Sequence, residues 1–256
     1  MLQILIILSR EIGYQDNGPD LTWKNLNRKW LAVNKVYQEI RRMEKQFCFI
    51  FVMMLFSALN CFGQQADPNQ ELQKKYTVVN RVISAGPDTG SIHLNDAQGD
   101  GIAWINKQEF TYGTIECDIK GKDVLQASFL GIAFHGVNDT TYETVYFRPF
   151  NFRATDTLRK AHAVQYMTSP KYGWDKLRAQ YPGKYEKPIS PAPDPNAWFH
   201  VRIRVDSKTI GVYVNGNTNP SLVVEPLVKT GGKMIGYWAG GTDGDWKNLK
   251  IIEARK

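Results

Sequence analysis

The sequence predicts an all-β fold over residues 76–256, a two-sheet antiparallel sandwich. After Gln64 no stretch sustains a helical period, while short runs rich in Val, Ile, Phe, Tyr and Thr alternate with Gly, Asn, Asp and Pro. About a dozen such runs in under 200 residues suit a two-sheet sandwich better than a small barrel.

In chain order the predicted strands are Tyr76–Ser84, Ser91–Leu94, Gly101–Ile105, Phe110–Lys120, Phe129–His135, Thr141–Arg148, His162–Met167, Trp198–Val205, Thr209–Asn215, Ser221–Glu225, Lys233–Trp238 and Trp246–Glu253. The clearest hairpin is VRIRVDSKTIGVYVNG, in which Val201, Ile203 and Val205 alternate with Arg202 and Arg204 before an Asp-Ser-Lys turn, and Asn215-Gly216 closes it. Residues 149–197 break the rhythm with clustered prolines and with Tyr172, Trp174, Tyr181 and Tyr185, which predicts a functional segment folded over one sheet. Trp198 and Trp246 are expected in the core.

The first 63 residues read differently. Arg41, Arg42 and Lys45 flank the apolar run FCFIFVMMLFSALNCF at 47–62, which is followed by Gly63 and a polar segment. Basic start, short apolar core, small residue and polar sequel are the order of a secretory signal, and the run is shorter than the roughly 20 residues of a spanning helix. Residues 43–63 are therefore a predicted signal peptide cut near Gly63, residues 1–42 a start-site extension, and 64–75 a flexible mature N-terminus. A lipidated Cys61 or an uncut anchor are the alternatives. Residues 21–42 have apolar positions near helical spacing.

This division predicts a secreted or periplasmic domain whose only tie to a membrane is the signal peptide. It also reduces the charge: the whole chain carries +7, but the part after Gly63 holds 24 Lys/Arg against 20 Asp/Glu, a dispersed +4 that argues against nucleic acid. Cys117 alone remains of three cysteines, on an apolar strand face, so a buried structural thiol is expected and a disulfide framework is excluded.

Alternation places the candidate site residues. In FTYGTIECDIK, Glu116 and Asp118 share a face about 7 Å apart, a carboxylate pair usable in glycoside hydrolysis or an ordinary polar face. In FLGIAFHG, Gly131, Ala133 and His135 share a face with room above it. In TYETVYFRPFNFR, Tyr142, Thr144, Tyr146 and Arg148 oppose Glu143, Val145 and Phe147, and Asn151 and Arg153 follow. Gln165 joins the same polar surface, with Trp174 reaching over it from the loop. Flat rings cover sugar C–H faces, and guanidinium and amide groups pair with hydroxyls, so these types suit a saccharide; cross-strand packing is the bland alternative. No nucleophile elbow, phosphate loop or His/Cys metal spacing occurs, and no cofactor is expected. Asp243 and Asp245 in a Gly-rich turn are candidates for a structural calcium or for a plain turn.

The succession YGTIECDIK, FLGIAFHG, YETVYFRPFNFR and a closing GDWKNLKI strand resembles concanavalin A-like jelly-roll domains of the laminin G, family 16 glucanase and 3-keto-disaccharide hydrolase type, across nearly all of residues 76–253. The resemblance implies a glycan partner, an oligo- or polysaccharide, and an extracytoplasmic setting. Family 16 glucanases carry Glu-x-Asp-x-(x)-Glu on one strand; here Lys120 follows Glu116 and Asp118 where the last acid belongs, so that mechanism is not carried over. Three functions follow as expectations. One is a carbohydrate-binding domain presenting Glu116, His135, Tyr146, Arg148 and Gln165. A second is a glycoside hydrolase or polysaccharide lyase using Glu116 or Glu143 as acid or base, or Tyr146 or His135 beside Arg148. The third is a laminin G-like interaction domain.

Overall fold

The computed structural model describes residues 23–59, 68–229 and 231–254. The chain divides into two compact units, residues 1–65 and 66–256. In the first, the described residues form one helix, α1 (Trp23–Leu59), which runs through the predicted amphipathic segment and much of the predicted signal. The predicted cleavage site at Gly63 lies outside the described residues. Among the described residues no helix is long and apolar enough to cross a membrane.

The second unit opens with α2 (Pro68–Lys75), where the sequence was expected to be flexible. Pro68 presets the first turn, and Leu72 packs against the core, which gives this short segment something to bury. The strands that follow are β1 (Tyr76–Val79), β2 (Ile83–Ala85), β3 (Ile92–Leu94), β4 (Asp100–Glu109), β5 (Gly113–Lys120), β6 (Leu130–Asn138), β7 (Thr141–Phe147), β8 (Val164–Ser169), β9 (Glu186–Lys187), β10 (Phe199–Val205), β11 (Ile210–Val214), β12 (Leu222–Val224), β13 (Met234–Gly240) and β14 (Gly244–Glu253). They form two seven-stranded sheets in the orders β1-β4-β13-β6-β7-β8-β9 and β12-β11-β10-β5-β14-β3-β2, with every pairing antiparallel. This is the jelly-roll sandwich.

Two predicted strands divide because the chain changes sheets within them. Asn80 takes a left-handed φ of 51° and its amide donates to the carbonyls of Gln98 and Asp100, so β1 lies in the first sheet and β2 in the second. The run from Phe110 likewise starts pairing only at Gly113, whose φ of 140° suits glycine at the crossing from β4 to β5.

The core lies between the sheets. Phe199 of β10 meets Phe147 of β7 with ring centroids 5.3 Å apart, and Tyr237 of β13 meets Trp246 of β14 at 5.6 Å. Trp246 is fully buried and its indole N–H donates to Gly131 O at 3.2 Å. Cys117 is buried there too, and burial raises its thiol pKa, so it is an inert core thiol. Trp198 departs from expectation: it is only half-buried, with the Lys247 ammonium 4.1 Å above its ring.

The sheets differ on their outer faces. In the second sheet burial alternates strictly along β5 and β10, the pattern of one solvated face. In the first, β7 and β8 are buried almost throughout. Segment 148–197 covers them, carrying α3 (Pro149–Phe152), α4 (Thr157–Lys160) and α5 (Trp174–Gln180) besides β8 and β9. The predicted covering segment therefore holds two strands, β8 and β9, and much of the cap.

Candidate functional site

Between the outer face of the first sheet and its cover is a cavity of about 770 Å³, within the usual size of a ligand pocket. Its floor follows from register. Trp238, Gly131 and Tyr146 lie side by side on β13, β6 and β7, and a Cβ on Gly131 would fall 2.7 Å from Tyr146 Cβ. Glycine there lets the two flanking rings meet at 5.0 Å. Trp238 Nε1 donates to the Tyr142 hydroxyl at 3.2 Å, and that hydroxyl donates to Asp100 Oδ2 at 3.3 Å.

Beside the rings lies a buried polar network. Arg148 Nη2 donates to the Tyr146 hydroxyl and to Gln165 Oε1, both at 2.5 Å, and its Nη1 donates to His162 O at 2.9 Å. Tyr146 in turn donates to Gln165 Oε1 at 2.8 Å, while Gln165 Nε2 is buried without a partner. The network ends on Glu186, 3% exposed, which pairs with Gln165 across β8 and β9. Arg178 of α5 clamps both its oxygens, at 3.0 and 2.9 Å. His162 Nδ1 lies 2.7 Å from Glu186 Oε2, out of line for a hydrogen bond, and Arg148 Nη1 lies at 3.9 Å. Burial pushes the Tyr146 hydroxyl up to about 12 despite the neighbouring guanidinium, which makes it a poor base at neutral pH.

Of the sequence candidates, the cavity brings together Tyr146, Arg148, Asn151 and Trp174, with Gln165 bonded beneath them. Asn151 donates to His162 O at 3.3 Å, and Trp174, on the first turn of α5, lies under the Arg178 guanidinium at 5.2 Å. Arg153 turns instead to Asp194 at 3.2 Å and does not line the cavity.

Glu116 and Asp118 stand elsewhere altogether. Both are on β5 of the second sheet, which is not the sheet that carries the cavity; Asp118 accepts from Asn248 Nδ2 at 2.7 Å and lies 2.8 Å from His200 Nδ1. The expected shared surface of Glu116 with Tyr146 and Arg148 is thus not formed. Asp243 and Asp245 pair with Lys122 and His93, at 2.5 and 2.8 Å.

His135 also leaves the expected face. A bulge at the end of β6 gives it a left-handed φ of 50° and turns it to Glu143. Glu143, 1% exposed, lies 2.8 Å from His135 Nδ1 and accepts from the Tyr166 hydroxyl at 2.5 Å, while His135 Nε2 lies 2.5 Å from Thr111 O. Thr111 O can only accept, so Nε2 donates to it, while Nδ1 faces the Glu143 carboxyl. The pair borders a second cavity of about 260 Å³, lined also by Thr111, Tyr112, Pro226, Val228 and Gly232.

Sequence reading missed Glu186, Arg178, His162, Trp238 and Asp100. Trp238 was accessible, since alternation in MIGYWAG places it on one face with Gly236; the ionic residues carried no periodic signal.

These contacts fix a pH dependence. Burial lowers the His135 pKa, but the hydrogen bonds to Glu143 and Thr111 O and the Glu143 charge outweigh it, so the pKa rises above 6.5. The stability this group contributes is complete below pH 6.5 and is lost as pH rises through the raised value. Urea unfolding of the wild type should therefore show a fall in stability as pH rises above 6.5 that His135→Gln lacks; equal falls would contradict the assignment.

No protein-family model matches the chain, and no curated protein matches it. Among solved structures it is similar to the carbohydrate binding module CBM66 from Bacillus subtilis, at 14% identity and a TM-score of 0.49 over 68% of this chain and 93% of that one. It is similar also to a Bacillus subtilis protein with a galectin-like fold, at 13% identity and a TM-score of 0.48 over 74% and 95%. A third is the VIP36 exoplasmic/lumenal domain in its Ca2+/Man3GlcNAc-bound form, at 10% and 0.45 over 72% and 86%. The likeness is one of overall architecture.

Proposed function

We propose that this domain binds a saccharide in the cavity on the outer face of the first sheet. One observation carries the reading: a rigid sheet floor sets aromatic rings, Tyr146 and Trp238, beside the planar polar groups of Arg148 and Asn151 in a single covered cavity. Rings of this kind take up the C–H faces of a pyranose, and guanidinium and amide groups pair with its hydroxyls. Because the floor is held by packing and hydrogen bonds before any ligand arrives, little ordering cost remains for binding.

Binding is favoured over turnover by what lies at the cavity. Tyr146 is a weak base there, and Glu116 and Glu143 are not among its lining residues. The alternative, a glycoside hydrolase or lyase, is favoured by one observation: Asp100, an exposed residue, lines the cavity, and partial desolvation raises its carboxyl pKa against the lowering contacts of Tyr142 and Arg81.

Calorimetry against a panel of neutral and acidic oligosaccharides, with product analysis by mass spectrometry, separates these readings. At least one panel member should bind without turnover, and Asn151→Ala should weaken it about tenfold by removing a hydrogen-bonding group from the site, whereas Glu116→Gln on the other sheet should leave affinity unchanged. Products that vanish in Asp100→Asn would establish the hydrolase instead, and absence of binding by every saccharide would overturn both.

The reading places the domain outside the cytoplasm, with 43–63 as its export signal. N-terminal sequencing of the exported protein should begin near Gln64; a chain still carrying Met43 would contradict export by cleavage.

A further inference from the structure

The exposed part of the main cavity's lining carries large apolar side chains. At the floor the polar lining groups Tyr146, Arg148 and Asn151 are buried. At the mouth stand Leu125, Leu158 and Trp174, exposed at 59%, 69% and 51%. Gln126 and Asp175, which also line the cavity, are exposed with them.

Single exposed leucines need no explanation, but these three side chains come from separate segments, the turn before Phe129, α4 and α5, and converge on one opening. A leucine offers neither a flat ring for a pyranose face nor a hydrogen bond for a hydroxyl. Its gain on binding comes from apolar surface removed from water. Between floor and mouth, Phe129 and Phe150 pack edge to face at 5.4 Å and continue the apolar lining inward.

We infer that the ligand is a saccharide carrying an apolar substituent, with its sugar ring on the polar floor and an aryl, alkyl or acyl group against Leu125, Leu158 and Trp174. This rests on the saccharide reading above and adds to it the class of glycan.

The test uses the full chain and matched methyl and phenyl glycosides of common hexoses, titrated by calorimetry. A phenyl glycoside should bind about tenfold more tightly than its methyl partner, the gain expected from burying roughly 60 Å² of apolar surface. Leu125→Ser with Leu158→Ser, both at exposed positions, should bring the pair to within about twofold of each other while leaving the methyl glycoside unchanged. Equal affinity of methyl and phenyl partners in the wild type would overturn the apolar substituent and leave the saccharide reading standing. Binding of free phenol as tight as that of phenyl glycosides, or binding of none of these probes, would overturn both.

Discussion

The site depends on one buried carboxylate. Glu186 sits on a two-residue strand at the edge of the first sheet, in a segment rich in proline and lysine, yet it is almost fully buried. Arg178 holds it from the cover and Arg148 approaches it from the floor, so the same charge fixes the position of α5 over the sheet and offsets the burial of the floor guanidinium. An isolated guanidinium in that position would be costly to bury, and an isolated carboxylate equally so; together they are tolerated because each has partners. The covering segment is attached both by these polar contacts and by packing, since Phe152, Leu177, Tyr185 and Ile189 join the core.

The two outer faces show what that attachment achieves. The second sheet keeps a solvated face with Glu116, Asp118, Arg202 and Lys247 in cross-strand pairs, the ordinary surface of an antiparallel sheet. The first sheet buries Tyr142, Tyr146 and Gln165 on the corresponding face, where Tyr142 bonds to Trp238 and Asp100 while the Tyr146 hydroxyl and Gln165 Oε1 bond to each other and to Arg148. A covered, hydrogen-bonded, aromatic floor is the material of a binding site; an open charged face is not.

Much of the fold was legible in the sequence, because the period-two alternation that marks each strand is the same physical fact that buries one of its faces. Residues 199–205, 115–119 and 145–147 point as alternation requires, and the hairpin ending in Asn215-Gly216 is formed. The site was legible only where alternation continued unbroken, as for Tyr146, Arg148 and Gln165. It failed at His135, where a bulge reverses the face of one residue, since nothing in FLGIAFHG marks an extra residue in the ladder. It failed for Glu116 because alternation gives the face of a strand but not the sheet to which the strand belongs. Glu186, Arg178 and His162 meet only through the tertiary course of segment 148–197, which no local pattern encodes.

The most direct test of the account is a crystal structure of the domain with the tightest-binding saccharide of a broad panel. The account predicts the sugar ring against Tyr146 and Trp238, with hydroxyls on Arg148 and Asn151 and the Arg178–Glu186 clamp unchanged. A saccharide bound instead on the second sheet, beside Glu116 and Asp118, would contradict it.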